Sequence, residues 1–158
     1  MLYFSYGSNL EPTQMRVRCP DHKVVGLALL RDHKLSFPLT SHDWGGGVAG
    51  IAVSHGANVW GVVNELSETD VAALDRYEGF VAEASPNNLY DREQMWVELT
   101  RADDGSIPRR VRAAIYLPRQ ANPARPSQRY LDAILTGARH HHLPDEYIAK
   151  LRQIPIGE

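Results

Sequence analysis

Two stretches of the chain combine residue types that can do chemistry. The first is Tyr3-Phe4-Ser5-Tyr6-Gly7-Ser8-Asn9-Leu10. Strand-forming residues stop there at Gly-Ser-Asn, and a helix start follows, with Pro12 in its first turn and Gln14, Met15 and Arg16 as helix formers. A strand that ends on a glycine and runs into a helix leaves several backbone N–H groups without internal partners. With the helix dipole behind them, those donors suit a carboxylate or a developing oxyanion. Taken alone, the motif also reads as an ordinary strand-to-helix turn capped by Ser8 or Asn9.

The second stretch ends on Glu78. Ser67 and Asp70 have the spacing of a capping box, Val71, Leu74 and Glu78 follow at helical spacing, and Gly79 is a C-terminal glycine. Val71 and Glu78 lie within about 20° of each other around the axis, so the helix aims Glu78 along its apolar stripe. A carboxylate facing a core must be paired, hydrated in a pocket, or neutral. Burial and the negative end of its own helix both raise its pKa above ~4.3, toward the value that a general acid/base needs at neutral pH. The alternative is a structural glutamate that reaches solvent or pairs with Arg76 or Arg92. Asp75, one turn earlier, is expected in a helix salt bridge or a hydrogen bond. Tyr90 and Tyr130 each begin an element beside irregular chain and can either border a pocket or pack in the core with a wet edge.

Other candidates carry less. His140-His141-His142 are consecutive at a helix end and cannot all converge on one ion, so no metal site is expected. Cys19 is the only cysteine and has no evident base beside it. No Gly-x-Ser-x-Gly elbow occurs, which removes support for a serine hydrolase triad.

The elements that would position these groups are mixed. A helix is expected over 12–18, strands over 24–30 and 34–37 separated by Arg31-Asp32-His33, and a flexible turn or lid at Trp44-Gly45-Gly46-Gly47. Segments 48–53 and 59–66 read as a hairpin across Ser54–Asn58, apolar on both faces as in a central sheet or barrel position. After the Glu78 helix come an irregular loop over 80–88 and a hairpin of strands 90–100 and 108–117 turning at Asp103-Asp104-Gly105. A helix over 127–139 follows, with Tyr130, Ile134 and Ala138 on its buried stripe. A last helix begins near Pro144.

At 158 residues the chain is expected to form one domain, residues 1–158. The apolar fraction of 43%, charged fraction of 23% and net charge of -2 are those of a globular protein with no call for a polyanion, so no nucleic-acid partner is expected. No apolar run approaches the ~20 residues of a membrane span, so no membrane association is expected. The first strand begins near residue 2, leaving no room for a signal peptide, and the lone cysteine fits a reducing compartment. The expected location is cytoplasmic.

The combination resembles the γ-glutamylcyclotransferase family. The opening Tyr3–Leu10 motif and Leu74-Asp75-Arg76-Tyr77-Glu78-Gly79 carry the likeness. Lys34–Phe37, Gly47–Val53, Val59–Val63, Ser127–Tyr130, Gly137-Ala138 and Leu143–Tyr147 extend it over nearly the whole chain. The resemblance implies an α+β fold, a small mixed β-barrel flanked by helices, with a pocket that needs no cofactor. It implies that the backbone of Gly7, Ser8, Asn9 and Leu10 holds a γ-glutamyl group with Tyr6 beside it. Glu78 would be the catalytic acid/base, Tyr130 would close the pocket and Tyr90 would be a second pocket tyrosine. Asp91-Arg92 stand where better-known members carry apolar residues, which leaves the leaving group open. The implied substrate is a small γ-glutamyl compound whose α-amine attacks its own γ-carbonyl to give 5-oxoproline, in an enzyme that is a monomer or homodimer. Two alternatives remain: a non-catalytic binding module on the same fold, and a cyclotransferase that removes a γ-glutamyl protecting group from an amine.

Overall fold

The computed structural model describes residues 1–102 and 109–157. Five strands form a closed barrel in the order β1-β3-β2-β4-β5: β1 (Leu2–Ser5), β2 (Lys23–Ser41), β3 (Gly46–Glu65), β4 (Tyr90–Ala102) and β5 (Arg109–Pro118). β1 lies antiparallel to β3, with Tyr3 opposite Asn64 and Phe4 opposite Val63. It closes the barrel by a parallel pairing to β5 through Tyr3 and Ala114. Among the described residues four α-helices accompany the barrel: α1 (Pro12–Arg18), α2 (Glu68–Glu78), α3 (Gln128–His140) and α4 (Asp145–Arg152). One core joins barrel residues such as Phe4, Val63, Leu99 and Ile115 to Ile134 of α3 and Leu151 of α4. A second cluster, Tyr3, Met15, Cys19, Leu66, Leu74 and Tyr116, seats α1 and α2 against the barrel. Among the described residues no helix is long and apolar enough to cross a membrane.

The helices follow their local signals. Ser67 Oγ accepts the Asp70 N–H at 3.0 Å and Asp70 Oδ2 accepts the Ser67 N–H at 3.3 Å, closing the expected capping box of α2. Gly79 ends that helix at φ +66°, a conformation that glycine adopts without a Cβ penalty. Ser127 caps α3 by accepting the Tyr130 N–H, and Tyr130, Ile134 and Ala138 are buried as their spacing predicts. The hairpin of β4 and β5 runs from the Tyr90–Pro118 pair to Leu99–Arg109. Its expected turn at Asp103-Asp104-Gly105, with Pro108, lies outside the described residues.

The strands differ from expectation in one respect. Segments 48–53 and 59–66 do not pair with each other; 48–53 and 59–65 both belong to β3, which pairs with an equally continuous β2 from Lys23–Glu65 to Ser41–Gly46, with register shifts between. The polar Arg31-Asp32-His33 and Ser54–Asn58 stretches face each other as an irregularity in this ladder. There Asp32 adopts φ +59° and its carboxylate accepts the Gly56 N–H at 2.9 Å. Exposed polar residues with a glycine mark a bulge as readily as a chain reversal; the register on both flanks decides. The real reversal is the His42–Gly45 turn, with Gly45 at φ +72°. Gly46 and Gly47 are strand residues, not part of the turn: they begin β3, and a Cβ on Gly47 would sit 1.9 Å from the Ala124 carbonyl oxygen.

The opening turn is also corrected in detail. Ser8–Leu10 form a 3₁₀ turn, in which Leu10 N–H bonds to Gly7 O and Glu11 N–H to Ser8 O. The cap of α1 therefore moves to Glu11, whose carboxylate accepts the N–H groups of Thr13 and Gln14. That shift frees the side chains of Ser8 and Asn9 from capping.

Candidate active site

A cavity of about 570 Å³ is lined by Tyr6, Gly7, Ser8, Asn9, Glu78, Tyr90 and Tyr130, seven of the eight site residues expected from the sequence. Leu10 is the exception. Its side chain is fully buried and its backbone lies directly under Gly137 of α3, where a Cβ would come within 2.2 Å of the Leu10 carbonyl carbon. Leu10 fixes the turn from beneath and does not face the cavity. Tyr3, Gln14, Arg18, Tyr116, Arg129 and the chain from Thr40 at the end of β2 to Trp44 in the following turn also line it.

Glu78 is the last residue of α2 and its side chain is 13% exposed. Leu89 N–H bonds to Gly79 O, and Asn88 ties residues 81 and 82 together, so the loop after the helix is held against its end. One carboxylate oxygen of Glu78 accepts a hydrogen bond from Asn9 Nδ2 at 3.3 Å and lies 3.8 Å from Arg18 Nη1. Burial raises its pKa to about 7, outweighing the downward pull of the Arg18 charge and the Asn9 hydrogen bond. Neither Arg76 nor Arg92 pairs with it; Arg92 is taken by Asp75 at 2.5 Å, and Asp75 also accepts the Tyr116 hydroxyl.

The tyrosines divide by the fate of their hydroxyls. Tyr6 donates to the Tyr116 carbonyl at 2.7 Å, so it braces the barrel at the cavity wall. Tyr130 accepts the Ala49 N–H at 2.9 Å and touches the opening turn, where a Cβ on Gly7 would meet its oxygen at 3.0 Å. Its ring packs edge-on against Trp44 with centroids 5.0 Å apart. Burial pushes its phenol up to about 12, so its O–H keeps its proton and can donate. Burial and the Glu78 charge raise Tyr90 above the ordinary phenol range. Trp44 and its turn are strapped to α3 by the Ser127 hydroxyl on the Trp44 carbonyl, at 2.6 Å, and by Arg129, which bonds the Asp43 carbonyl and stacks over the indole.

Arg18, Gln14 and the side chain of Asn9 were not singled out from sequence as a unit. A signal was present: Gln14 and Arg18 stand four apart and share a face of α1. Nothing local told which way that face points. Among the described residues no group of three His, Cys, Asp or Glu side chains could hold a metal ion.

Comparison with known proteins decides the family. A family model described as AIG2-like matches residues 58–151. The human γ-glutamylcyclotransferase is 33% identical over 157 residues, covering 97% of this chain and 78% of that protein. The bovine γ-glutamylcyclotransferase is 32% identical over the same shares. The chain belongs to the γ-glutamylcyclotransferase family. A solved γ-glutamyl cyclotransferase structure superposes with a TM-score of 0.85 at 32% identity, covering all of this chain and 89% of that one. YkqA of Bacillus subtilis, at 23% identity and a TM-score of 0.76, matches 99% of this chain and 56% of its own and shares the fold. The closed barrel with its flanking helices is the architecture expected from the family resemblance.

Proposed function

We propose that residues 1–158 are a single-domain γ-glutamylcyclotransferase that converts a γ-glutamyl amino acid or amine into 5-oxoproline and the free amino acid or amine. The observation that carries this reading is Glu78, a carboxyl with a pKa of about 7, set in a cavity beside the Gly7-Ser8-Asn9 turn. The substrate brings its own nucleophile. When the γ-glutamyl chain is folded so that its α-nitrogen meets the γ-carbonyl carbon, attack closes a five-membered ring, and holding that conformation is a large part of the acceleration. Ionised Glu78 takes the proton that the α-nitrogen loses as the new C–N bond forms. The carbonyl oxygen becomes an oxyanion, which those N–H groups of the turn not bonded within it can stabilise. Glu78 returns the proton to the leaving nitrogen, the original C–N bond breaks, and the carboxylate is regenerated. A carboxyl poised near pH 7 suits both halves of this exchange.

Tyr130 closes the pocket around the γ-glutamyl group, with Tyr90 on another side. The enzyme acts as a monomer or homodimer in the cytoplasm, a setting that suits Cys19, unpaired and buried with its thiol pushed up to about 12. The test is incubation with a panel of γ-glutamyl dipeptides and γ-glutamylamines, following 5-oxoproline, with Glu78→Gln as control. Turnover of at least one substrate is expected, falling about 10²–10⁴-fold in the variant. Absence of 5-oxoproline from every compound overturns the proposal and favours a binding module; cleavage of the amines alone makes the enzyme a deprotecting cyclotransferase.

A further inference from the structure

We infer that Arg18 is a positioning residue of this site: it fixes the Asn9 amide so that its NH₂ faces Glu78, and with its own charge it keeps Glu78 ionised as the base. The inference rests on the reading of Glu78 as the proton-transfer group. It starts from the hydrogen-bonding capacity of Asn9. Asn9 Oδ1 accepts from Arg18 Nη1 at 3.0 Å and from Gln14 Nε2 at 3.0 Å. A guanidinium has only donors, so it can face the oxygen of an amide and never its NH₂. The Asn9 NH₂ is thereby turned to the other side, where it meets the Tyr3 hydroxyl at 2.9 Å and Glu78 Oε1 at 3.3 Å. A donor aimed at a carboxylate favours its ionised form.

The second contribution is direct. Arg18 Nη1 is 3.8 Å from Glu78 Oε1, and the two side chains are 19% and 13% exposed, so solvent screens the pair only in part. The groups that feel the Glu78 charge from neighbouring elements are Tyr3 of β1, Tyr6 just after that strand, Cys19 after α1, Tyr90 of β4 and Tyr130 of α3. Burial raises every one of these, so each is neutral at working pH. Among the described residues Arg18 is the charged group that acts on Glu78. Burial drives the carboxyl upward and only Arg18 and the amide it orients oppose that drive, ending near 7. Without them Glu78 is a neutral acid at physiological pH, unable to accept a proton.

The guanidinium is held for this task. It lies 4.9 Å from the centroid of the Tyr77 ring on α2, a contact that orients its plane. Arg18 also stands at the C-terminal end of α1, where the helix dipole favours a cation.

The experiment compares the parent with Arg18→Met and Arg18→Lys in two ways. The pH dependence of kcat/KM on a substrate that the parent cyclises reports the free enzyme's acid limb. In Arg18→Met this limb is expected to move up by about 1–3 pH units, the usual effect of an opposite charge at this range. Activity is then lost near neutrality and largely recovered in alkali, while Arg18→Lys, which keeps the charge, moves less. Independently of turnover, difference infrared spectroscopy follows Glu78 protonation, with Glu78→Gln identifying its band, and should show the same upward displacement. An Arg18→Met enzyme whose activity drops equally at every pH, with the Glu78 band titrating as in the parent, overturns the inference. A displaced band in a protein that makes no 5-oxoproline overturns the proposed function and leaves standing only the electrostatic hold of Arg18 on Glu78. If Arg18→Met does not fold, Arg18→Gln, which keeps a donor for Asn9 but no charge, serves in its place with the same expected direction.

Discussion

Replacing Glu78 by Gln should make the folded protein more stable, and only at the pH where the enzyme works. The side chain changes little in shape, and at 3.8 Å its contact with Arg18 is not a hydrogen bond, so the replacement leaves Arg18 its acceptor on Asn9. What changes is the cost of burying a charge. A carboxyl that moves from 4.5 to about 7 on folding holds its proton more tightly in the folded state. Below pH 4.5 both states are protonated and the folded state has the full benefit. As pH rises through about 7 that benefit is lost, in total about 3 kcal/mol. Glutamine has no proton to lose, so its stability does not contain this fall, and contributions from all other groups cancel in the comparison. Urea unfolding at pH 4 should give nearly equal stabilities, whereas at pH 8 the variant should lead by about 3 kcal/mol. An equal difference at both pH values, or a variant weaker at pH 8, would mean that Glu78 is a structural ion-pair partner and that its pKa is not raised.

Tyr130→Phe removes the acceptor of the buried Ala49 N–H, which should cost about 1–3 kcal/mol in urea unfolding. Its kinetic effect should fall mainly on KM, and a large drop in kcat at constant KM would give the hydroxyl a transition-state role instead. Gly137→Ala would set a Cβ 2.2–2.4 Å from Leu10 atoms, forcing α3 and the opening turn apart. Thermal melting should show a loss of about 1–3 kcal/mol, and kcat/KM should fall with it; a variant normal in both would show that the turn is not held from beneath.

What the sequence made legible was local. The Ser67–Asp70 box, Gly79 and the Ser127 cap fix helices within a few residues of chain, and helical spacing was enough to bring Glu78 into the cavity. The expected bond of Asp75 is there too, with Arg92 and Tyr116 as its partners. The strands were harder, because Arg31-Asp32-His33 and Ser54–Asn58 carry the composition of turns and only their long paired flanks make them a bulge. Arg18 and the Asn9 amide were out of reach for a further reason. Their meeting with Glu78 joins a turn, α1 and the end of α2 across the barrel rim of the second core cluster, and no periodicity within any one segment encodes it.

The four-residue β1 has a consequence for how the protein comes to exist. The pairs β2–β3 and β4–β5 are hairpins of consecutive strands, whereas the β2–β4 pairing and both pairings of β1, to residues 62–65 and to Ala114, are distant in the chain. Contacts so distant in the chain close only after large loops have been ordered, which makes them the slow ones. The Gly7-Ser8-Asn9 turn hangs from this strand. A chain with both hairpins made and the seam between β3 and β5 still open has most of its secondary structure and none of its cavity. Turnover is therefore a proofreading signal for the fold: specific activity counts sealed molecules, and a preparation that looks correct by circular dichroism can still be catalytically blank.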